Sequence, residues 1–149
     1  MEIKQDLYQQ CFSFIEQRLI TVQNTMSEIQ ESLTSETKSS AGDKHETGRA
    51  MLQLEREKAG NQLSEIVKVK DALSKIDTSK THKVIGLGSV VYTTQANYYI
   101  SISSGVLKFK ETSFYGISPS TPIGQLLIGK TVGDIICFRA GEFSITAIL

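Results

Sequence analysis

Apolar residues return at alternating steps of four and three along the first part of the chain, at Ile15, Leu19, Val22, Met26, Ile29 and Leu33. A second series follows, with Leu52, Ala59, Ile66 and Leu73 seven apart and Leu63, Val69 and Ile76 near the complementary row. Steps of this size keep side chains on one face of a helix with 3.6 residues per turn. A seam so narrow, with charged flanks, predicts two helices zipped into an antiparallel coiled-coil hairpin. Each helix is expected to run about 30 residues, or about 45 Å at 1.5 Å per residue. A hairpin of that kind has no globular core, so it must project from a domain or be gripped by a partner.

The reversal is expected between Lys38 and Arg49, where Ser39, Ser40 and Gly42 break the periodicity. The hairpin tip then carries Asp43, Lys44, His45 and Glu46.

Past residue 80 the period shortens to that of strands. Gly88 to Thr94, Tyr98 to Ser103, Val106 to Phe109 and Ser113 to Ser118 read as strands, with Ser104-Gly105 as a turn. Thr121 to Gly129 reads as a short helix, with Thr121 as N-cap, Pro122 at its first position and Gly129 as its stop. Asp134 to Arg139 and Glu142 to Ile148 form a hairpin around Ala140-Gly141. The fold class expected is α+β. It comprises a coiled-coil hairpin over 1–76 with its acidic tip at 42–46, a linker over 77–82, and a small C-terminal α+β domain over 83–149.

Composition sharpens this division. Residues 1–80 hold 11 Lys or Arg, 13 Asp or Glu and no Pro, whereas 81–149 hold only 5 and 3, with both prolines, so the two parts differ in kind. Over the whole chain 16 basic and 16 acidic residues cancel, which excludes nucleic-acid coating by bulk charge. Met1 to Leu7 is charged and reads as no secretory signal. The apolar run Val84 to Tyr92 is too short to span a bilayer, so no membrane partner is expected. Cys11 and Cys137 lack the spacing of a zinc or redox motif and are expected to be buried thiols in a reducing, cytoplasmic setting. No Gly-rich phosphate loop or nucleophile elbow is present, and Gly86-Leu-Gly88 reads as the start of a strand.

The tip residues support two chemistries. Asp43 and Glu46, three apart at a helix start, have the spacing of a capping box and favour the positive end of the helix dipole. The same two carboxylates, delivered by a rod to a site already holding metal and phosphate, would help hold Mg²⁺, which takes hard oxygen ligands and often only one or two protein carboxylates. His45 is a further ligand or base, or simply solvated. Lys44 and Arg49 either touch phosphate or belong to a wet surface.

The run Gly42-Asp-Lys-His-Glu46 resembles the tip pattern of the bacterial transcript-cleavage factors of the GreA/GreB family. The run from Ile117 through Thr121-Pro122 and Leu127-Ile128-Gly129-Lys130 to Gly133-Asp134 is similar to that family's C-terminal signature. The resemblance covers nearly the whole chain. It implies an FKBP-like C-terminal domain that docks on RNA polymerase, and a coiled coil that enters the polymerase secondary channel. Asp43 and Glu46 would then hold the second Mg²⁺ of the polymerase, which cuts the RNA of a backtracked complex. Gly42, Lys44, His45 and Thr47 would support the tip, and Ser120, Thr121, Pro122, Ile123 and Gly124 would lie in the docking region. On the residues alone, that last segment is equally a capped helix packed on a sheet. The resemblance further implies a cytoplasmic monomer that is not itself an enzyme and meets the RNA 3′ end and DNA only through the polymerase.

The sequence departs from the family after Glu46, where Thr47-Gly-Arg-Ala50 replaces Asn-Ala-Glu-Tyr, so an acid has become Arg49. That change motivates an alternative, a channel-binding regulator without cleavage. A further alternative, a prolyl isomerase, would draw its aromatic pocket from residues such as Tyr92, Tyr98, Phe114 and Tyr115.

Overall fold

The computed structural model describes residues 2–38 and 42–149, and of residues 36–38 and 42–45 the backbone alone. Ser39 and Ser40, expected to break the helix, lie outside the described residues. Two long helices come first, α1 (Glu2–Lys38) and α2 (Gly42–Ser74). They are followed by β1 (Val90–Thr93), β2 (Tyr98–Ile100), β3 (Gly105–Phe109), β4 (Thr112–Ile117), α3 (Pro122–Leu127), β5 (Ile135–Phe138) and β6 (Gly141–Ile148). The architecture is α+β, as the change of period indicates.

Both helices outrun the expected 30 residues, at 37 and 33. In α1 the reason is an N-terminal extension of the apolar face: Lys4, Leu7, Cys11 and Ile15 follow one another by three or four, and all are buried. At the other end α2 already begins at Gly42, so Asp43 to Arg49 are helical and not loop. Acids in the first turn suit the dipole of α2.

By packing, the chain divides into two compact units. One is Ile15–Val69, a helical arm. Its seam follows the apolar periodicity: Ile29, Leu33 and Ala59 form a buried cluster with Met26 and Leu52 packed against it. The small Ala59 is only 3% exposed, so the helices approach closely there. At 1.5 Å per residue, the stretch Ile15–Lys38 runs about 36 Å.

The other unit joins Met1–Phe14 to Lys70–Leu149. This division falls inside the helices, whereas the change in composition falls near residue 80. The six strands form one sheet in the order β3-β4-β2-β1-β6-β5, antiparallel except for the parallel pair β2 and β4. One face carries Val91, Ile100, Ile117, Ile136, Phe143 and Ile145, which pack with Ile123 and Leu127 of α3. Val90, Tyr99, Leu107 and Phe114 are buried on the alternate positions. There Cys11 of α1 meets the hydroxyls of Ser101 (3.4 Å) and Ser104 (3.5 Å).

Two local features differ from the sequence expectation. The β5–β6 hairpin turns at Arg139-Ala140, because Gly141 already pairs with Phe138, and Arg139 takes the positive φ of 58°. Cys137 is exposed and not buried, because it alternates with the inward Ile136 and Phe138 on the edge strand β5. Both cysteines are free thiols.

Candidate functional site

Toward residues 39–41, the described packing of the arm ends in a small apolar cluster. Leu33 of α1 and Leu52 of α2 belong to the cluster that closes the seam. Arg49 adds a polar tie across the hairpin, donating from Nη1 to the Leu33 carbonyl at 3.4 Å. Glu46 and Thr47 are exposed in the first turns of α2. The side chains of Asp43, Lys44 and His45 lie outside the described residues. From the backbone alone, Asp43 and Glu46 stand three apart on one helix, a spacing that puts both on the same face.

This spacing puts two acidic residues near the start of α2, where the N-terminal helix dipole favours negative charge and carboxylates are hard oxygen donors. Two carboxylates suit Mg²⁺ only as part of a larger shell. Among the described residues, no three of His, Cys, Asp or Glu gather as a metal site.

The second candidate segment is a tightly bonded cap. The Ser118 and Ser120 hydroxyls meet at 2.8 Å, and Thr121 Oγ1 donates to the Ser118 carbonyl at 2.7 Å. Gly124 N–H donates to Thr121 Oγ1 at 3.1 Å, the N-cap bond that the sequence indicates, with Pro122 in the first turn. Gly124 is required by space: a Cβ there would lie 2.3 Å from the Ser118 carbonyl oxygen. Ile123 and Gly124 face the core, so Ser120 and Pro122 are the exposed members.

Sequence reasoning missed a buried cluster in the same unit. Lys4 is 0% exposed, and its ammonium donates to the Lys80 carbonyl and meets His82 Nδ1 at 3.1 Å. Burial holds the Lys4 pKa below the ordinary lysine value, against the attraction of Asp77. Burial also holds His82 below 6.5, with the Lys4 charge adding to it and a bond to the Leu149 backbone opposing it. The signal was present, since Lys4 shares the face of Leu7, Cys11 and Ile15. The role of Gly88 was missed as well. It precedes β1 at φ 91°, where a Cβ would stand 3.0 Å from Ile76 Cγ2.

No family model and no curated protein matches this sequence. Among solved structures, the chain is similar to two of a GreA-family factor homologue. One is the crystal structure of GreA factor homolog 1 (Gfh1) of Thermus thermophilus, at 22% identity over 91% of this chain and 92% of that one, with a TM-score of 0.36. The other is a structure of the transcription factor Gfh1, at 22% identity over 96% and 93%, also with a TM-score of 0.36. Likeness of that degree leaves the function of this chain to be argued from its own residues. Among the described residues, no helix is long and apolar enough to cross a membrane.

Proposed function

We propose that this protein is a transcription factor that binds RNA polymerase and inserts its helical arm into the secondary channel. There Asp43 and Glu46 help hold a Mg²⁺ of the polymerase, which then cleaves the RNA of a backtracked complex. The observation that carries the reading is the pairing of two acids, three apart, at the turn of a two-helix arm. The resemblance of the runs 42–46 and 117–134 to the GreA/GreB family supports it.

The physical logic is one of delivery. A narrow arm of about 36 Å reaches a recessed site that a compact domain cannot. When bound, Mg²⁺ would polarise phosphate oxygens and activate water, the chemistry of paired metal sites. The task of this chain is to present carboxylates on the arm, whose two helices are joined by the seam at Leu33 and Leu52 and by the Arg49 bond to the Leu33 carbonyl. The factor acts through the polymerase and is not an enzyme by itself. On this reading it is a cytoplasmic, bacterial monomer.

The test uses a stalled, backtracked complex of the cognate polymerase with Mg²⁺. Adding the protein is expected to shorten the RNA from its 3′ end faster than polymerase alone. A protein that binds but leaves the RNA length unchanged would instead be a channel-occupying regulator. Arg49 favours that second reading, since it places a cation one turn from Glu46 where the family has an acid.

A further inference from the structure

β3 is an edge strand, and an edge leaves one row of backbone groups without a neighbouring strand. The register shows which groups these are. On β4 the Tyr115 N–H donates to the Asn97 carbonyl and the Ile117 carbonyl accepts from Ser101 N–H, so both residues turn their peptide groups toward β2. The alternate residues Thr112, Phe114 and Gly116 turn theirs toward β3, where they stand opposite Phe109, Leu107 and Gly105. The N–H and C=O of Val106 and Lys108 therefore point to the outer edge.

One of these two residues is already engaged. Gln10 of α1 donates from Nε2 to the Lys108 carbonyl at 2.7 Å, and its Oε1 accepts from the Lys108 N–H at 3.3 Å. A side-chain amide offers the same donor and acceptor as a peptide group, so Gln10 fills Lys108 as a residue of a further strand would. Asp6, one turn back on α1, accepts from the same Nε2 at 3.0 Å. The two hydrogens of that nitrogen serve both acceptors, and the Asp6 bond fixes which way the amide points.

An open edge here would be prone to pairing. Val106 is β-branched and 61% exposed, and the exposed Tyr115 stands opposite it on β4. Such residues favour pairing along an edge. The edge is also self-complementary. In an antiparallel pair of two copies with Leu107 opposite Leu107, Val106 of each copy stands opposite Lys108 of the other. That register matches the outward groups of both strands and keeps the two lysines from facing each other.

We infer that Gln10 is a lock on the β3 edge: its amide occupies Lys108 and keeps this edge from pairing with the β3 edge of a second copy of the chain. The Lys108 charge adds to the same protection, as lysines on edge strands do. The lock requires nothing of the polymerase reading and stands or falls separately from it.

The test measures amide hydrogen exchange at Lys108 and self-association of the full-length protein by sedimentation. In the parent the Lys108 amide is expected to exchange more slowly than that of Val106, and the chain to sediment as a monomer. Gln10→Ala is expected to speed Lys108 exchange by about tenfold, the scale of one lost hydrogen bond. It is also expected to self-associate at concentrations about tenfold below any at which the parent does. Gln10→Met keeps the length and loses both bonds, so it serves if Gln10→Ala does not fold. Adding Val106→Pro removes an outward N–H that Gln10 does not use, at a place where proline is tolerated, and is expected to restore the monomer. Unchanged Lys108 exchange in a folded Gln10 variant would overturn the lock. Faster exchange in a variant that stays monomeric would overturn the second copy as the excluded partner, and so would association that persists with Val106→Pro.

Discussion

At the scale of single residues the most consequential side chain outside the arm is Lys4. A buried ammonium facing a histidine is tolerated because a carbonyl and a neutral imidazole nitrogen receive its protons. Removing it in Lys4→Ala leaves both acceptors without their donor and is expected to cost about 1–3 kcal/mol in urea unfolding. The same cluster sets a pH dependence. The unfolded chain takes up a proton at His82 near pH 6.5, whereas the folded chain resists it. Acid therefore favours the unfolded state, and stability is expected to fall as pH drops from about 7 to 5. Lys4→Met removes the charge that adds to this resistance, so the dependence should flatten. A urea midpoint that is unchanged between those pH values in the parent would contradict this account. Neither residue was legible as a pair in the sequence, because 78 positions separate them. Cys137 was misjudged for a related reason. Ile135 and Cys137 alternate with Ile136 and Phe138, both faces are apolar, and period alone does not say which face is covered.

At the scale of elements the sequence was most informative where a single face decides burial. The seam residues Ile15, Val22, Ile29, Leu33, Ala59 and Ile66 are all buried, since a hairpin arm offers only one face to hide them. Ala59 marks the close approach, and Ala59→Leu is expected to overpack it and destabilise the arm by about 1–3 kcal/mol. Circular dichroism during urea unfolding would detect this, and an unchanged midpoint would mean the seam has room. The cap of α3 was likewise legible, because Thr-Pro before a short apolar run has a local cause. Thr121→Ala is expected to cost about 1 kcal/mol and Thr121→Asn much less, as Asn caps about as well. Equal losses for the two would show that the Thr121 bond to Gly124 does not cap α3. Less legible was the turn between β5 and β6. Gly141 reads as the turn residue, yet Arg139 adopts the left-handed conformation, so register outweighs local preference there.

At the scale of the whole molecule, the order of a helical arm followed by a small mixed-sheet domain was visible in the change of period near residue 80. The candidate site was legible as chemistry, in the spacing of Asp43 and Glu46 along the chain. Spacing could not separate a capping box from a metal-holding pair, because both need two acids at a helix start. The fold sets Glu46, exposed, in the second turn of α2, and because α2 begins at Gly42, Asp43 stands inside the helix and not at a separate cap position. A substitution that removes the charge tests the metal-holding role. The decisive comparison is RNA shortening in a Mg²⁺-containing backtracked polymerase complex with parent protein and with Asp43→Asn. Asn and Asp have similar helix propensity, so helix content should be unchanged. The account predicts that the parent accelerates cleavage and that Asp43→Asn, at matched polymerase occupancy, loses most of that acceleration. Full acceleration by Asp43→Asn would contradict the metal-holding role.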